Sequence, residues 1–198
     1  MLFFDVSAKQ GTQFFQGEWD PYPDDLHAVY LGAERPQPMH VKIRTGTRPG
    51  DMIFATPNVI SERFLTMLRD CDATGYTTFP VALIKAGDCV ANFFGLRVYG
   101  RGGSFDEARS KAYHGTAGAL DGYDGIYMDE SRWDGSDVFF IPGVGVSLYV
   151  TERVAEAIKK AKLVNVQLTP NDECRAGKYV DYSRFLIRSS RKRKKRET

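Results

Sequence analysis

Two stretches of the chain carry apolar residues at intervals of three and four positions, the spacing that places side chains on one face of an α-helix. Each stretch begins with a hydroxyl residue followed by Glu-Arg, as Ser61-Glu62-Arg63 and as Thr151-Glu152-Arg153. Ser and Thr are preferred N-caps, and Glu favours the positive end of the helix dipole, so each hydroxyl predicts a helix start. The apolar positions of the two predicted helices are Phe64, Leu65, Leu68, Val154, Ala157, Ile158 and Ala161.

The segments around the two predicted helices follow the same order. Strand-like runs at residues 51–54 and 137–140 each lead through a proline turn to a helix. Extended runs at residues 77–83 and 164–168 follow the helices. The pattern therefore predicts an internal duplication of a strand–helix–strand unit.

These elements predict an α+β fold, a mixed sheet with helices packed on one face. Residues 1–50 are rich in proline and show only short strands, at Gln13–Gln16 and Val41–Arg44, so we interpret them as a proline-rich N-terminal arm. Residues 51–187 form the predicted α+β domain. Residues 188–198 contain seven Lys or Arg and no apolar side chain, which predicts a disordered basic tail.

Composition restricts the class of protein. The chain has 198 residues, of which 42% are apolar and 26% charged, as in ordinary globular proteins. Its apolar runs are far shorter than the roughly 20 residues of a membrane-spanning helix, and its N-terminus lacks the basic segment of a secretory signal. We expect a cytoplasmic protein with no membrane partner. Cys71, Cys89 and Cys174 are widely spaced, which argues against a disulfide framework and a zinc site.

The net charge of +2 hides an uneven distribution. The tail has seven basic residues and one acid, or +6, which leaves 20 basic against 24 acidic residues, or −4, for residues 1–187. A basic block can bind nucleic acid or another anion through phosphate contacts, and a solvated tail without a ligand is the alternative. The candidate contact residues are Arg191, Lys192, Arg193, Lys194, Lys195 and Arg196.

A search for catalytic patterns finds none. The three histidines are scattered, and the chain has no metalloprotease, phosphate-loop, dinucleotide or nucleophile-elbow motif. The carboxylates between residues 129 and 137 do not follow the calcium-loop spacing. We predict no catalytic residue, no cofactor and no metal site.

The segment around Trp133 has the composition of a protein-contact site, because Trp and Arg are enriched among the residues that dominate interfaces. The candidate partner-binding residues are Asp129, Glu130, Arg132, Trp133 and Asp134. In the alternative interpretation, Trp133 covers the core from a loop and the acids are solvated.

Several segments between residues 50 and 170 carry a family resemblance. The strongest is Asp129-Glu130-Ser131-Arg132-Trp133-Asp134-Gly135-Ser136-Asp137, and Ile60-Ser61-Glu62-Arg63-Phe64 and Val150-Thr151-Glu152-Arg153-Val154 support it. Together they resemble the bacterial immunity proteins of the double Cys-x-x-Cys-Gly paralogous family and, more widely, immunity proteins encoded beside polymorphic toxins.

The resemblance implies a non-enzymatic α+β protein that binds a cognate toxin and covers its active cleft. Both Cys-x-x-Cys-Gly pairs are missing, so the zinc that they would imply is not expected. Two other function classes stay open: a nucleic-acid-associated protein acting through its tail, and an enzyme with an unrecognised site. A deep pocket lined by converging polar groups would favour the enzyme.

Overall fold

A computed structural model describes residues 1–9, 11, 13–20, 39–53, 55, 58–114, 120–144 and 147–177. Two α-helices, α1 (Glu62–Asp70) and α2 (Glu152–Ala161), and a 3-10 helix (Glu130–Arg132) lie in this part of the chain. The strands, in chain order, are β1 (Phe3–Ala8), β2 (Gln16–Asp20), β3 (Met39–Thr45), β4 (Met52–Ile53), β5 (Val59–Ile60), β6 (Tyr76–Lys85), β7 (Asp88–Val98), β8 (Gly100–Arg101), β9 (Lys111–His114), β10 (Leu120–Asp124), β11 (Val138–Phe140), β12 (Leu148–Thr151), β13 (Val166–Pro170) and β14 (Arg175–Gly177).

The strands form three sheets. Their orders are β2-β3-β6-β7-β5-β4, β13-β1-β12-β11-β8 and β14-β10-β9. The pairs β3–β6 and β8–β11 are parallel and the others antiparallel, so the two larger sheets are mixed. Both α-helices pack against each other and against apolar side chains of these two sheets. The predicted α+β fold is confirmed, although most of the regular structure is sheet.

The internal duplication is visible in the geometry. The first unit consists of β4, β5, α1, β6 and β7, and the second of β11, β12, α2, β13 and β1. Their strand orders, β6-β7-β5-β4 and β13-β1-β12-β11, match, and every neighbouring pair is antiparallel. The helix N-caps Ser61 and Thr151 lie 90 positions apart, and so do the residues of positive φ that follow each helix, Asp72 (47°) and Lys162 (51°).

The N-terminal strand β1 completes the second unit. In the first unit, Phe94 of β7 pairs with Pro80, and in the second, Phe4 of β1 pairs with Pro170. In the first unit, this position in the sheet is occupied by β7, which directly follows β6 in the chain. In the second unit, the same position is occupied by β1, which comes from the other end of the chain. No strand was predicted here from the sequence, where residues 1–50 were assigned to the arm; residues 3–8 lie between β12 and β13 in the middle of a sheet.

A buried carboxylate links the first unit to the end of α2. Asp51 accepts hydrogen bonds from Ser61 Oγ at 2.6 Å, from Arg63 Nη1 at 3.3 Å and from the amide of Val164 at 2.6 Å. Arg63 also donates to the carbonyl of Ala161, the last residue of α2. One of the carbonyls left unpaired at that helix end is thus satisfied by the other unit.

The second unit repeats this arrangement in the opposite direction. Asp137 accepts hydrogen bonds from Thr151 Oγ1 at 3.0 Å, from Arg153 Nη2 at 2.6 Å and from the amide of Thr74 at 3.1 Å. Arg153 donates to the carbonyl of Cys71, which follows α1. Each helix start is therefore fastened to the end of the other helix, which holds α1 and α2 side by side and antiparallel. We name the Asp51 network and the Asp137 network the two clasps.

The predicted helix starts are right, but only one has the predicted cap. Ser61 Oγ accepts a hydrogen bond from the Phe64 amide at 3.1 Å, as an N-cap does. The Thr151 side chain makes no capping bond, and its hydroxyl donates to Asp137.

Three apolar clusters form the core. The largest lies between the helices and one face of the two larger sheets. The opposite face of the first unit packs on β2 and β3, and the opposite face of the second packs on the segment between β8 and β11. The two units thus share their helix-side core and differ in what covers the other side.

Some local predictions are wrong. The sequence also predicts a short helix over residues 106–113 and a strand over residues 126–128. The structure instead has a turn followed by β9 in the first segment and a single bridge, from Phe105 to Met128, in the second. The sequence predicts a flexible turn at residues 100–103, but this segment contains β8. A side chain at Gly100 would approach the Val138 carbonyl oxygen to 2.2 Å, so this glycine permits close strand contact. The sequence also predicts a short extended piece at residues 28–31, which lie outside the described residues.

Candidate functional site

The acidic side chains of the predicted partner segment brace the segment itself. Asp129 accepts hydrogen bonds from the amide and hydroxyl of Ser131 at 3.1 and 2.6 Å, and these lower the pKa of Asp129. Glu130 pairs with the amino group of Met1. The Arg132 Nε atom lies 3.6 Å from Oδ2 of Asp129. These charges are exposed, but each already has an intrachain partner.

Asp134 and Trp133 fix the end of the segment to the second unit. Asp134 accepts hydrogen bonds from the Arg101 amide at 2.8 Å and the Ser136 amide at 2.9 Å. Trp133 is half-buried, donates from Nε1 to the Ser136 carbonyl at 3.1 Å, and packs 6.1 Å from the ring of Phe139. The structure therefore brings the five candidate residues into one turn and gives Trp133 a packing role.

This segment belongs to a larger acidic surface, formed by residues 104–114, 120–134 and 172–175, which we name the acidic layer. Backbone hydrogen bonds hold it together, among them Asp129 to Ser104 at 2.8 Å and Gly125 to Cys174 at 2.8 Å. It contains nine carboxylates against four Lys or Arg, a net charge of −5. The layer covers the face of the second unit that points away from the helices.

A polar cavity of about 190 Å³ lies between this layer and the second unit. Most of its lining comes from one face of β1, β12 and β13, because residues two apart along a strand point the same way. Thr169, Asp5 and Tyr149 form one row across these strands. The lining residues are Asp5, Ser7, Ile126, Ser147, Tyr149, Gln167, Thr169, Cys174 and Arg175.

The central group of the cavity is the carboxyl of Asp5. Burial raises its pKa to about 6, although the hydroxyls of Ser147 and Ser7 donate hydrogen bonds that oppose the rise. Among the described residues, no basic side chain forms an ion pair with Asp5. Arg175, which also lines the cavity, pairs with Asp124 at 3.0 Å and stacks on the Tyr113 ring at 3.8 Å.

The other reactive side chains of the cavity are held neutral. Burial raises the pKa of the Cys174 thiol to about 12, and the nearby Asp5 carboxylate adds to the rise. Burial also raises the pKa of the Tyr149 hydroxyl. Because a thiolate is the nucleophilic form of cysteine, Cys174 is a poor nucleophile at neutral pH. The arrangement suits hydrogen bonding and charge recognition better than nucleophilic catalysis.

The first unit provides an internal comparison for this cavity. Asp5 pairs with Thr169 in the second unit, and the positions 90 residues away, Gly95 and Phe79, pair in the first. There the Phe79 ring lies directly over Gly95, where an added Cβ would come within 2.1 Å of it. The second unit has a small hydroxyl residue in place of the ring and a carboxylate in place of glycine. Space that is filled in the first unit is open and polar in the second.

Asp5 was not among the residues predicted from the sequence. The signal that could have found it is the alternation of Phe4, Val6 and Ala8 with polar Asp5 and Ser7, which is typical of a half-buried strand. The tail candidates Arg191, Lys192, Arg193, Lys194, Lys195 and Arg196 lie outside the described residues.

Known metal and membrane features are not found in the described part of the chain. It contains no group of three or more His, Cys, Asp or Glu side chains placed to hold a metal ion. Neither of its two α-helices has the length and apolar character needed to cross a membrane. No protein-family model matches the chain, and no curated protein is significantly similar to it.

Proposed function

We propose that this chain is an immunity-type binding protein, which neutralises a cognate bacterial toxin in the cytoplasm by covering the toxin's active cleft. The proposal rests on the resemblance between residues 50 and 170 described above. The observation that carries it is the acidic layer, because most of the segment with the strongest resemblance, from Asp129 to Asp134, lies within it. The layer adds no strand to either repeated unit and places most of its charges in solvent.

The charge of the layer suggests the chemistry of the partner. A surface with a net charge of −5 attracts a basic surface, and such attraction raises the rate of encounter more than it raises affinity. A toxin that acts on nucleic acid carries a basic cleft, which an acidic layer complements. An interface of ordinary size buries about 800 Å² on each side.

The test begins with the product of the neighbouring gene. Co-expression should give a complex that survives purification, and cells that carry both proteins should grow where cells with the toxin alone do not. Protection should persist when residues 188–198 are removed. A complex that forms only with the tail, or only with added nucleic acid, would support the nucleic-acid alternative instead.

A charge variant tests the acidic layer directly. Asp121, Asp172 and Glu173 are exposed, and their side chains form no ion pair with any residue that the structure describes. Replacement with Asn, Asn and Gln should slow association with the toxin about tenfold at low salt, and the difference should shrink at high salt.

The control replaces three exposed acids outside the layer, Asp70, Asp72 and Asp88, each with Asn. Both triple variants change the net charge by the same amount. Association that slows equally in both would show that the layer is not the contact surface.

A further inference from the structure

The cavity around Asp5 has the composition of a site for a positively charged group. Its carboxylate is held in a half-buried position by hydroxyls and has no basic partner among the described residues. Burying a charge without a counter-charge is unfavourable, so an unpaired carboxylate is kept at a cost in stability. The first unit shows that the same framework can fill this position with a phenylalanine ring.

We propose that this cavity binds the ammonium or guanidinium group of a basic side chain from the partner protein, with the Asp5 carboxylate as its counter-charge. The assignment rests on the proposed function, because it names what the toxin contributes to the interface. The hydroxyl of Thr169 and the side-chain carbonyl of Gln167 lie on the same face and supply further hydrogen-bond acceptors.

The size of the cavity agrees with this class of ligand. A cavity of about 190 Å³ has room for the ammonium or guanidinium end of a Lys or Arg side chain. The surroundings disfavour an anion, because Asp124, Asp172 and Glu173 lie on the same side of the second unit. A calcium ion prefers six to eight oxygen ligands and several carboxylates, whereas Asp5 is the one carboxylate among the described residues that line the cavity.

The first experiment needs no toxin. The full chain is titrated with Nα-acetyl-lysine methylamide, Nα-acetyl-arginine methylamide and the neutral Nα-acetyl-norleucine methylamide, and binding is followed by amide NMR shifts. At least one basic probe should shift the resonances of Asp5 and Thr169 with saturation, and the neutral probe should not. Equal shifts with the norleucine compound, or the same shifts with calcium chloride, would overturn the assignment.

Substitutions locate the binding. Asp5→Asn should weaken binding of the basic probe about 30-fold or more, the loss expected when one partner of a buried charge pair is removed. Asp88→Asn, which removes an exposed carboxylate at the start of β7, should leave it unchanged. An Asp5→Asn protein that binds the basic probe as tightly as the original chain would refute the proposal.

A second variant guards against loss of binding through misfolding. Asp5→Gly combined with Thr169→Phe copies the Gly95–Phe79 pair of the first unit and should fill the cavity. This protein should unfold cooperatively and should bind neither basic probe. Retained probe binding with a filled cavity would place the amine elsewhere and overturn the assignment.

The source of the cation is decided by two further measurements. Putrescine that binds 100-fold more tightly than either side-chain probe would make a free amine the ligand and overturn the assignment to a partner. In the purified toxin complex, Asp5→Asn should speed dissociation about 30-fold. Unchanged dissociation would reject the cavity as a toxin contact but would leave the proposed immunity function standing. Binding of the basic probe by a protein that gives no protection against the toxin would reject the immunity function alone.

Discussion

Replacing Asp5 with Asn should stabilise the protein at neutral pH, although it removes the central polar group of the cavity. Folding raises the pKa of this carboxyl from 3.8 to about 6. The folded state therefore binds more protons than the unfolded state between about pH 4 and pH 6. Stability contributed by the protonated carboxyl is present below pH 4 and is lost as the pH rises through 6.

The size of this effect follows from the shift. Each pKa unit corresponds to 1.36 kcal/mol, so ionisation of Asp5 costs about 3 kcal/mol of folding free energy at pH 7. Asn cannot ionise and avoids this cost. Part of this cost is already present at pH 4, where the unfolded chain is more than half ionised at this position. Whatever fixed difference the substitution causes at pH 4, the Asn protein should gain about 2 kcal/mol relative to the original chain between pH 4 and pH 7.

Urea unfolding at pH 4, 5, 6 and 7 measures this gain directly. Taking the difference between the two proteins at each pH cancels the titration of the groups that they share. Asp88→Asn serves as the matched control, since its carboxylate is exposed, and its difference from the original chain should stay nearly constant. A difference for Asp5→Asn that is equally constant, or that falls with rising pH, would refute the view of Asp5 as a buried charge without a partner.

Three other substitutions test the framework by urea unfolding. Asp137→Ala should destabilise by about 3 kcal/mol, because it leaves a helix-end network without its acceptor; a loss below 1 kcal/mol would show that this clasp contributes little. Ser61→Ala should cost about 2 kcal/mol, because it removes both the N-cap and the hydroxyl that donates to Asp51, whereas an unchanged midpoint would contradict both contacts. Gly95→Ala should cost about 1–3 kcal/mol, because the new methyl group meets the ring of Phe79, and a neutral result would contradict the close approach of the two residues.

The two acids give opposite responses to pH. Burial of Asp137 raises its pKa, but hydrogen bonds from Thr74, Thr151 and Arg153 outweigh burial, and the pKa lies below its ordinary value. Its contribution to stability is present above about pH 4 and is lost in more acidic solution. The contribution of Asp5 to stability is instead lost as the pH rises above about 4. The two acids differ in how far hydrogen bonds oppose burial: Asp137 accepts bonds from Thr74, Thr151 and Arg153, whereas only the hydroxyls of Ser147 and Ser7 oppose the deeper burial of Asp5.

The duplication could be predicted from the sequence because its signals are local. Helix starts, apolar spacing and the order of strands all lie within about 30 consecutive residues, and the structure agrees with them. The helix-to-helix contacts of Arg63 and Arg153 depend on a partner 98 and 82 positions away, so no local pattern reveals them. Strand β1 was missed for a similar reason, because its neighbours β12 and β13 lie at the other end of the chain.

The candidate site was harder to predict than the fold, because its residues stand out only when the two units are compared in the structure. Asp129 and Asp134 look like contact residues in the sequence, yet their carboxylates hold the turn in shape. Asp5 looks like an ordinary strand residue, yet its carboxylate is largely buried and has no basic partner within the described part of the chain. The cavity is identified only by the strand register. It pairs Asp5 with Thr169 in the second unit, at the position where Gly95 pairs with Phe79 in the first.

The repeated framework separates stability from recognition. The clasps and the helix-side core hold the two units together, and they use neither Asp5 nor the charges of the acidic layer. The face opposite the helices can therefore change without loss of the fold, as the first unit shows by filling that face with the Phe79 ring.

A substitution at Asp137 should lower stability and leave the cavity's preference for basic probes intact. Asp5→Asn should raise stability at neutral pH and remove that preference. Because Asp5 and Asp137 share no hydrogen-bond partner, the stability changes of the double variant should add to within about 0.5 kcal/mol. A larger coupling would mean that the recognition face and the clasps form one network.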